Sequence, residues 1–217
     1  MNKKRIFNII IIIIGLFFII KKFYKSAEYS NVKRINKIYY SGEYDKAKSE
    51  LELHLQEYPK SSEIWAYLGL INLELNDTIG AEKAYLKGLE LDSKNDKAIV
   101  GLGVVERMKG NYKKARNYYK KAIELNPKNP DPYSSLLVLE IKNENYQKAV
   151  ELGEKARGMK LTDTRPGILG NLVVAYHLNN EIDKRDNILA ELEKMKYKDI
   201  EYIKMVISGL VDINDFI

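Results

Sequence analysis

Between Tyr44 and Tyr197 apolar side chains recur at spacings of three and four, the period of helices that bury one face, and short polar turns interrupt the pattern at regular intervals. One stretch shows the unit. Ile99, Leu102, Val105 and Glu106 mark one face of a first helix, Gly110 and Asn111 supply a turn, and Tyr112, Ala115, Tyr119, Ala122 and Ile123 mark a second helix. Pro127 and Pro130 stop that helix and restart the next. The pattern predicts helical hairpins and an all-α fold.

The hairpin repeats. Ala47, Ala81, Ala115 and Ala149 lie 34 residues apart each time, with Tyr44, Tyr112 and Tyr146 three before the alanine and Tyr85 and Tyr119 four after it. Leu68, Leu102 and Leu136 align, as do Gly69 with Gly103 and Pro59 with Pro127. A fixed period of this length marks stacked supersecondary units, each too small to bury its own apolar face. Alanine or glycine at the repeating positions lets two helix backbones approach, and the large aromatic fills the adjacent groove.

Upstream the pattern changes. Ile6 to Ile20 is apolar apart from Asn8, has no polar face, and lies between lysine-rich clusters. As a helix it rises about 22 Å, or about 28 Å with Lys21 to Tyr24 counted, against a hydrocarbon core of about 30 Å. One transmembrane helix is therefore expected, with the membrane contacted through residues 6–20 and the repeats on the extracytoplasmic side. A signal peptide is the alternative, which would release a secreted soluble binding protein. No pair of small residues suited to cleavage follows the run, and Lys21 and Lys22 oppose it.

Charge adds to this division. Six of the 36 basic residues precede Ser26 and no acidic residue does, so the remaining basic residues are matched by the chain's 30 acidic ones. The excess of +6 sits beside the apolar run rather than on the repeats, which removes the main argument for nucleic acid as a partner. The chain has no cysteine, which excludes disulfides, thiolate metal sites and catalytic thiols.

These positions resemble the tetratricopeptide repeat family. Its Trp, Leu, Gly signature on the first helix is matched by Trp65, Leu68 and Gly69, and its Ala, aromatic, Ala, Pro signature on the second by Ala115, Tyr119, Ala122 and Pro127. The departures are Asn72 where the family favours Tyr, Gly88 where it favours Ala, and Arg34 and Ile35 in place of Leu and Gly. The resemblance implies a right-handed superhelical solenoid of antiparallel helix pairs over residues 28–197. Its units run about 28–61, 62–95, 96–129, 130–163 and 166–197, the last after a two-residue insertion near Thr162 to Gly167. Residues 1–25 form the anchor. Residues 198–217 form a capping helix, striped by Ile200, Ile203, Val206 and Ile207, and a tail ending in Phe216 and Ile217.

Members of the family bind peptides or helices along the concave face built from the first helix of each hairpin. By that resemblance the groove contains Val32, Asn36 and Tyr39, then Ala66, Tyr67, Leu70 and Leu73. It continues with Val100, Gly101, Val104 and Arg107, and then Ser134, Ser135, Val138 and Ile141. This surface is small and apolar, suited to an amphipathic helix or an extended apolar segment of a protein partner. Only Asn36, Lys97 and Arg107 could contribute to gripping a terminal carboxylate. The basic cluster Lys113, Lys114, Arg116, Lys120 and Lys121 on a second helix reads as a solvated outer face.

Candidate chemistry is sparse. His54 and His177 fall in the first and last hairpins, and Gly101, Leu102 and Gly103 lack the third glycine and the preceding strand of a dinucleotide site. Ser61 and Ser62 precede the Trp65 helix and read as caps. No catalytic, metal or cofactor residue is expected, and the sequence reads as a membrane-anchored, non-catalytic scaffold. An unrecognised enzyme is the remaining alternative.

Overall fold

The computed structural model describes residues 34, 35, 37–39, 41–159 and 166–213. Every regular element among them is helical. The chain divides after Asp92 into two compact units. In the first, Arg34, Ile35 and Lys37–Tyr39 are helical and precede α1 (Tyr44–Glu57), α2 (Ser62–Glu74) and α3 (Thr78–Leu91). The second holds α4 (Asp96–Met108), α5 (Tyr112–Leu125), α6 (Asp131–Lys142), α7 (Tyr146–Arg157), α8 (Pro166–Leu178), α9 (Ile182–Lys194) and α10 (Ile200–Ile207).

The helices pack as hairpins. α2 pairs with α3, α4 with α5, α6 with α7 and α8 with α9; α10 lies against α8 and α9. The second helices start at Tyr44, Thr78, Tyr112, Tyr146 and Ile182, so the interval of 34 holds three times and then widens to 36. In the first unit Ile35, Leu51, Ile64, Leu68 and Ile71 form the core; in the second, Leu137, Leu169, Leu172, Ile188 and Leu192 do.

Local chemistry sets the helix ends. Ser61, Asp77 and Asn95 accept from the backbone N–H groups of Ile64, Gly80 and Ala98 at 3.2, 2.8 and 3.0 Å, satisfying donors that an unfilled helix start leaves orphaned. Ser62, read as a second cap, does something else: its hydroxyl donates to the Gly88 carbonyl at 2.8 Å and ties the start of α2 to the end of α3.

Four of the hairpin turns repeat one bond. The N–H groups of Asp77, Asn111, Asn145 and Glu181 donate to the carbonyls of Asn72, Glu106, Glu140 and Tyr176 at 2.8 to 2.9 Å, and the residue before each donor has a positive φ. This is the Schellman closure, in which one left-handed residue turns the chain out of the helix. Gly110 takes φ +79° without strain, but Glu144 is held at +59°. Glu144→Gly should therefore raise unfolding free energy by about 0.5–1 kcal/mol, the relieved left-handed strain exceeding the added freedom of the unfolded chain. Urea denaturation checks it, and an unchanged or lowered midpoint would mean that the turn imposes no strain.

One expectation is corrected. The single-pass membrane location read from the sequence does not stand, because among the described residues no helix is long and apolar enough to cross a membrane. The helices α1 to α10 have between 8 and 14 residues, at most about 21 Å of rise against the roughly 30 Å required. Residues 6–20, on which that expectation rested, lie outside the described residues, as do Thr162 to Arg165 and the tail at Phe216 and Ile217.

Candidate partner-binding face

Helix α4 is apolar on two sides. Ile99, Leu102 and Val105, at spacings of three, are buried, at 3% exposure or less. Val104, Arg107 and Met108 repeat the spacing on a different face and stay open, Met108 at 50% exposure. An ordinary surface helix has one apolar stripe and a polar remainder, so a second apolar side is available to something else. On helix α2 in the other unit Ile64, Leu68 and Ile71 are buried, Leu70 is partly exposed but packs against that core, and Leu73 is partly exposed.

The groove residues expected from the sequence fall into three groups. Val32 and Asn36 lie outside the described residues. Ala66, Tyr67, Val100, Gly101, Ser134, Val138 and Ile141 are buried, so they shape the surface from below. Tyr39, Leu70 and Leu73 in the first unit, and Val104, Arg107 and Ser135 in the second, are partly open.

Polar contacts fix several of these side chains. The Tyr39 hydroxyl donates to Glu74 Oε1 at 2.6 Å, and its ring lies 5.7 Å from that of Tyr44. Asn171 on α8 donates to the Ser134 hydroxyl on α6 at 3.0 Å, joining two first helices. Burial raises the Tyr119 hydroxyl pKa, and the nearby charge of Arg107 offsets part of that rise.

Below this face, Gly103 sits where an added Cβ would lie 2.3 Å from the Tyr119 ring, and Gly69 repeats the arrangement against Tyr85 at 2.6 Å. The glycines let each tyrosine lie flat on the facing helix backbone, as the aligned Gly and Tyr positions suggested.

Sequence reasoning missed other residues. Glu140 is 1% exposed, and its carboxylate meets Arg116 on α5, Lys148 at 3.5 Å and Asn145 at 2.9 Å on the next turn and helix. Burial pushes the Glu140 carboxyl up, but hydrogen bonds from Arg116 and Asn145 and the charges of Arg116 and Lys148 outweigh it and hold the group below its ordinary value. Arg116 is thus no part of a solvated outer cluster; it clasps one hairpin to the next. The available signal was the 34-residue alignment of Asn72, Glu106 and Glu140. On α8, Val174, His177 and Leu178 repeat the spacing of Val104, Arg107 and Met108, 36 residues on from Val138, Ile141 and Lys142. Val174 is fully buried, and His177 Nδ1 lies 3.2 Å from Arg185, with burial and that charge lowering the imidazole pKa.

Reactive constellations are not what the face presents. Among the described residues no group of three or more His, Asp or Glu could hold a metal ion.

Three models of the tetratricopeptide repeat match, at residues 62–95, 97–129 and 118–151. The structure is similar to that of a thermophilic TPR protein from Thermus thermophilus, with a TM-score of 0.67, 18% identity, and 83% of this chain and 96% of that one covered. It is also similar to the Pseudomonas aeruginosa pilF protein, with a TM-score of 0.56 and 17% identity over 76% of this chain and 74% of that one. A third likeness is to a chain of the APC/C hetero-tetramer Cut9-Hcn1, with a TM-score of 0.60 and 20% identity over 72% of this chain and 30% of that one. At these identities the likeness is one of fold. No curated protein matches significantly.

Proposed function

Since the chain is a tetratricopeptide-repeat protein, we propose that it works as a protein-interaction scaffold, holding a segment of a partner protein on the first-helix face of α4 and α6. The observation that carries this reading is the second apolar side of α4, where Val104 and Met108 remain open beside Arg107. Exposed apolar side chains are ordinary when scattered, but here they recur at helical spacing on a helix whose opposite side is already committed to the core. A structure of similar fold belongs to a hetero-tetramer, an assembly with partner proteins, which agrees with the reading.

A segment bound there is anchored by a few apolar side chains, so one charge placed among them should suffice to remove it. Val104→Glu is expected to lower partner recovery in a cross-linking pull-down at least tenfold. Because Val104 is not part of the buried core, unfolding free energy should change by no more than about 0.5 kcal/mol. Undiminished recovery from a folded variant would take this face out of the account.

A further inference from the structure

We infer that the outer face of α3 pairs with α3 of a second copy of this chain, antiparallel and about a two-fold axis that passes between Glu82 and Lys83. This surface lies on a second helix of the first unit and is separate from the first-helix face proposed above. α3 buries Ala81, Ala84, Tyr85 and Gly88, one stripe at spacings of three and four. A second stripe at the same spacings, Ile79, Glu82, Lys83 and Leu86, turns away from that core, with Ile79 at 69% and Leu86 at 52% exposure.

The repeat supplies the comparison. At the positions of Ile79 and Leu86, α1 carries Asp45 and Glu52, α5 carries Lys113 and Lys120, and α7 carries Gln147 and Glu154; α9, after the widened interval, carries Asp183 and Ala190. Among the described second helices, α3 alone puts two large aliphatic side chains there. A scattered exposed leucine is ordinary, but two aliphatics seven residues apart, about 10.5 Å along one face, form the ridge that one helix lays against another.

Charge selects the occupant. In the antiparallel pair Ile79 of each copy meets Leu86 of the other, and Glu82 of each copy faces Lys83 of the other, a self-complementary pattern of the kind a two-fold interface requires. A parallel pair in register would oppose Lys83 to Lys83. An antiparallel pair shifted by one residue would oppose Lys83 to Lys83 or Glu82 to Glu82, so only one register avoids repulsion. Lys83 is exposed and bonds to no acid among the described residues, whereas Lys87 beside it is held by Glu90 at 2.8 Å. One helix crossing buries less than the roughly 800 Å² per partner of a standard interface, so a reversible, micromolar association is expected.

The test is sedimentation velocity of the full-length chain over a range of concentrations, with charge-reversal variants run alone and mixed. Glu82→Lys opposes lysines at the axis and Lys83→Glu opposes glutamates, so each alone should weaken self-association at least tenfold. An equimolar mixture of the two should regain wild-type association, because each chain supplies the charge the other lacks. Ile79→Glu should abolish the dimer without moving the urea midpoint, since Ile79 lies outside the core. Disulfide trapping reads the register in this cysteine-free chain. Ile79→Cys mixed with Leu86→Cys should cross-link, and neither should cross-link alone, because like positions lie about 10.5 Å apart along the pair. Association unaltered by Ile79→Glu, or single charge variants that associate as well as their mixture, would overturn the inference. A chain that stays monomeric at every concentration, yet loses a different protein when Ile79 is changed, would assign the face to another occupant and overturn the second copy.

Discussion

Arg116→Met is expected to lower unfolding free energy by about 3 kcal/mol, the cost of stranding a buried carboxylate. Glu140 is almost fully inaccessible, and Arg116 neutralises it from the preceding hairpin; Lys148, at 3.5 Å and 60% exposed, replaces little of that contact. The loss should fall on the junction between α5 and α6, where Lys142 over the Tyr112 ring is a further contact. Arg116→Met combined with Glu140→Leu should recover most of it, because removing both charges leaves no unpaired group. Urea unfolding of the three variants decides the matter, and a double variant no better than the single would show that the ion pair is not what joins the hairpins.

The same pair gives a pH dependence. Glu140 titrates below its ordinary 4.5 in the folded protein, so its contribution is complete above that value and is lost as pH falls through the folded pKa. Without Arg116, burial should raise the carboxyl instead, and protonation then relieves the folded state. The stability gap between wild type and Arg116→Met should therefore narrow as pH drops from 7 toward 4.

Gly103→Val should cost about 3 kcal/mol, and Gly103→Ala gives the sharper test of why. Alanine is favoured over glycine inside a helix by about 1 kcal/mol, so an exposed glycine replaced this way stabilises. Here the new Cβ would stand 2.3 Å from the Tyr119 ring, in a core where Tyr119 is fully buried, and overpacking of that kind costs about 1–3 kcal/mol. A net loss of about 1 kcal/mol is expected for the alanine, relieved when Tyr119 is also changed to Leu. Stabilisation by Gly103→Ala would contradict the close approach. Gly69→Ala against Tyr85 should behave alike.

These glycines explain why the fold was legible. A hairpin that packs a tyrosine flat on a facing backbone admits only small residues at fixed offsets, so Gly69, Gly103 and the alanines at 47, 81, 115 and 149 repeat in the sequence as they do in space. Positions defined by exclusion of volume leave a periodic trace. Glu140 left a much fainter one. Glu140 is a lone acid in the apolar run Leu136 to Ile141, and nothing in the local sequence says that Arg116, 24 residues earlier, points inward to meet it. On α8 the widened interval shifts Val174, His177 and Leu178 out of the 34-residue register, and Val174 and Leu178 belong to or pack against the core. Of the groove positions taken from the family resemblance, Ala66, Val100 and Ile141 prove to be covered by neighbouring packing. A single sequence gives the side of a helix but not the depth at which its neighbours bury it. The apolar run at Ile6 to Ile20 gave a strong pattern, but the membrane location drawn from it found no support in the described helices.

Photo-cross-linking from single positions tests the binding face most directly. A photoreactive amino acid at Met108 on α4 or at Ser135 on α6 should yield the same cross-linked partner, and the same group at Lys121, exposed on α5, should yield none. A partner captured from position 121 but not from 108 or 135 would place recognition on the second helices and contradict the account.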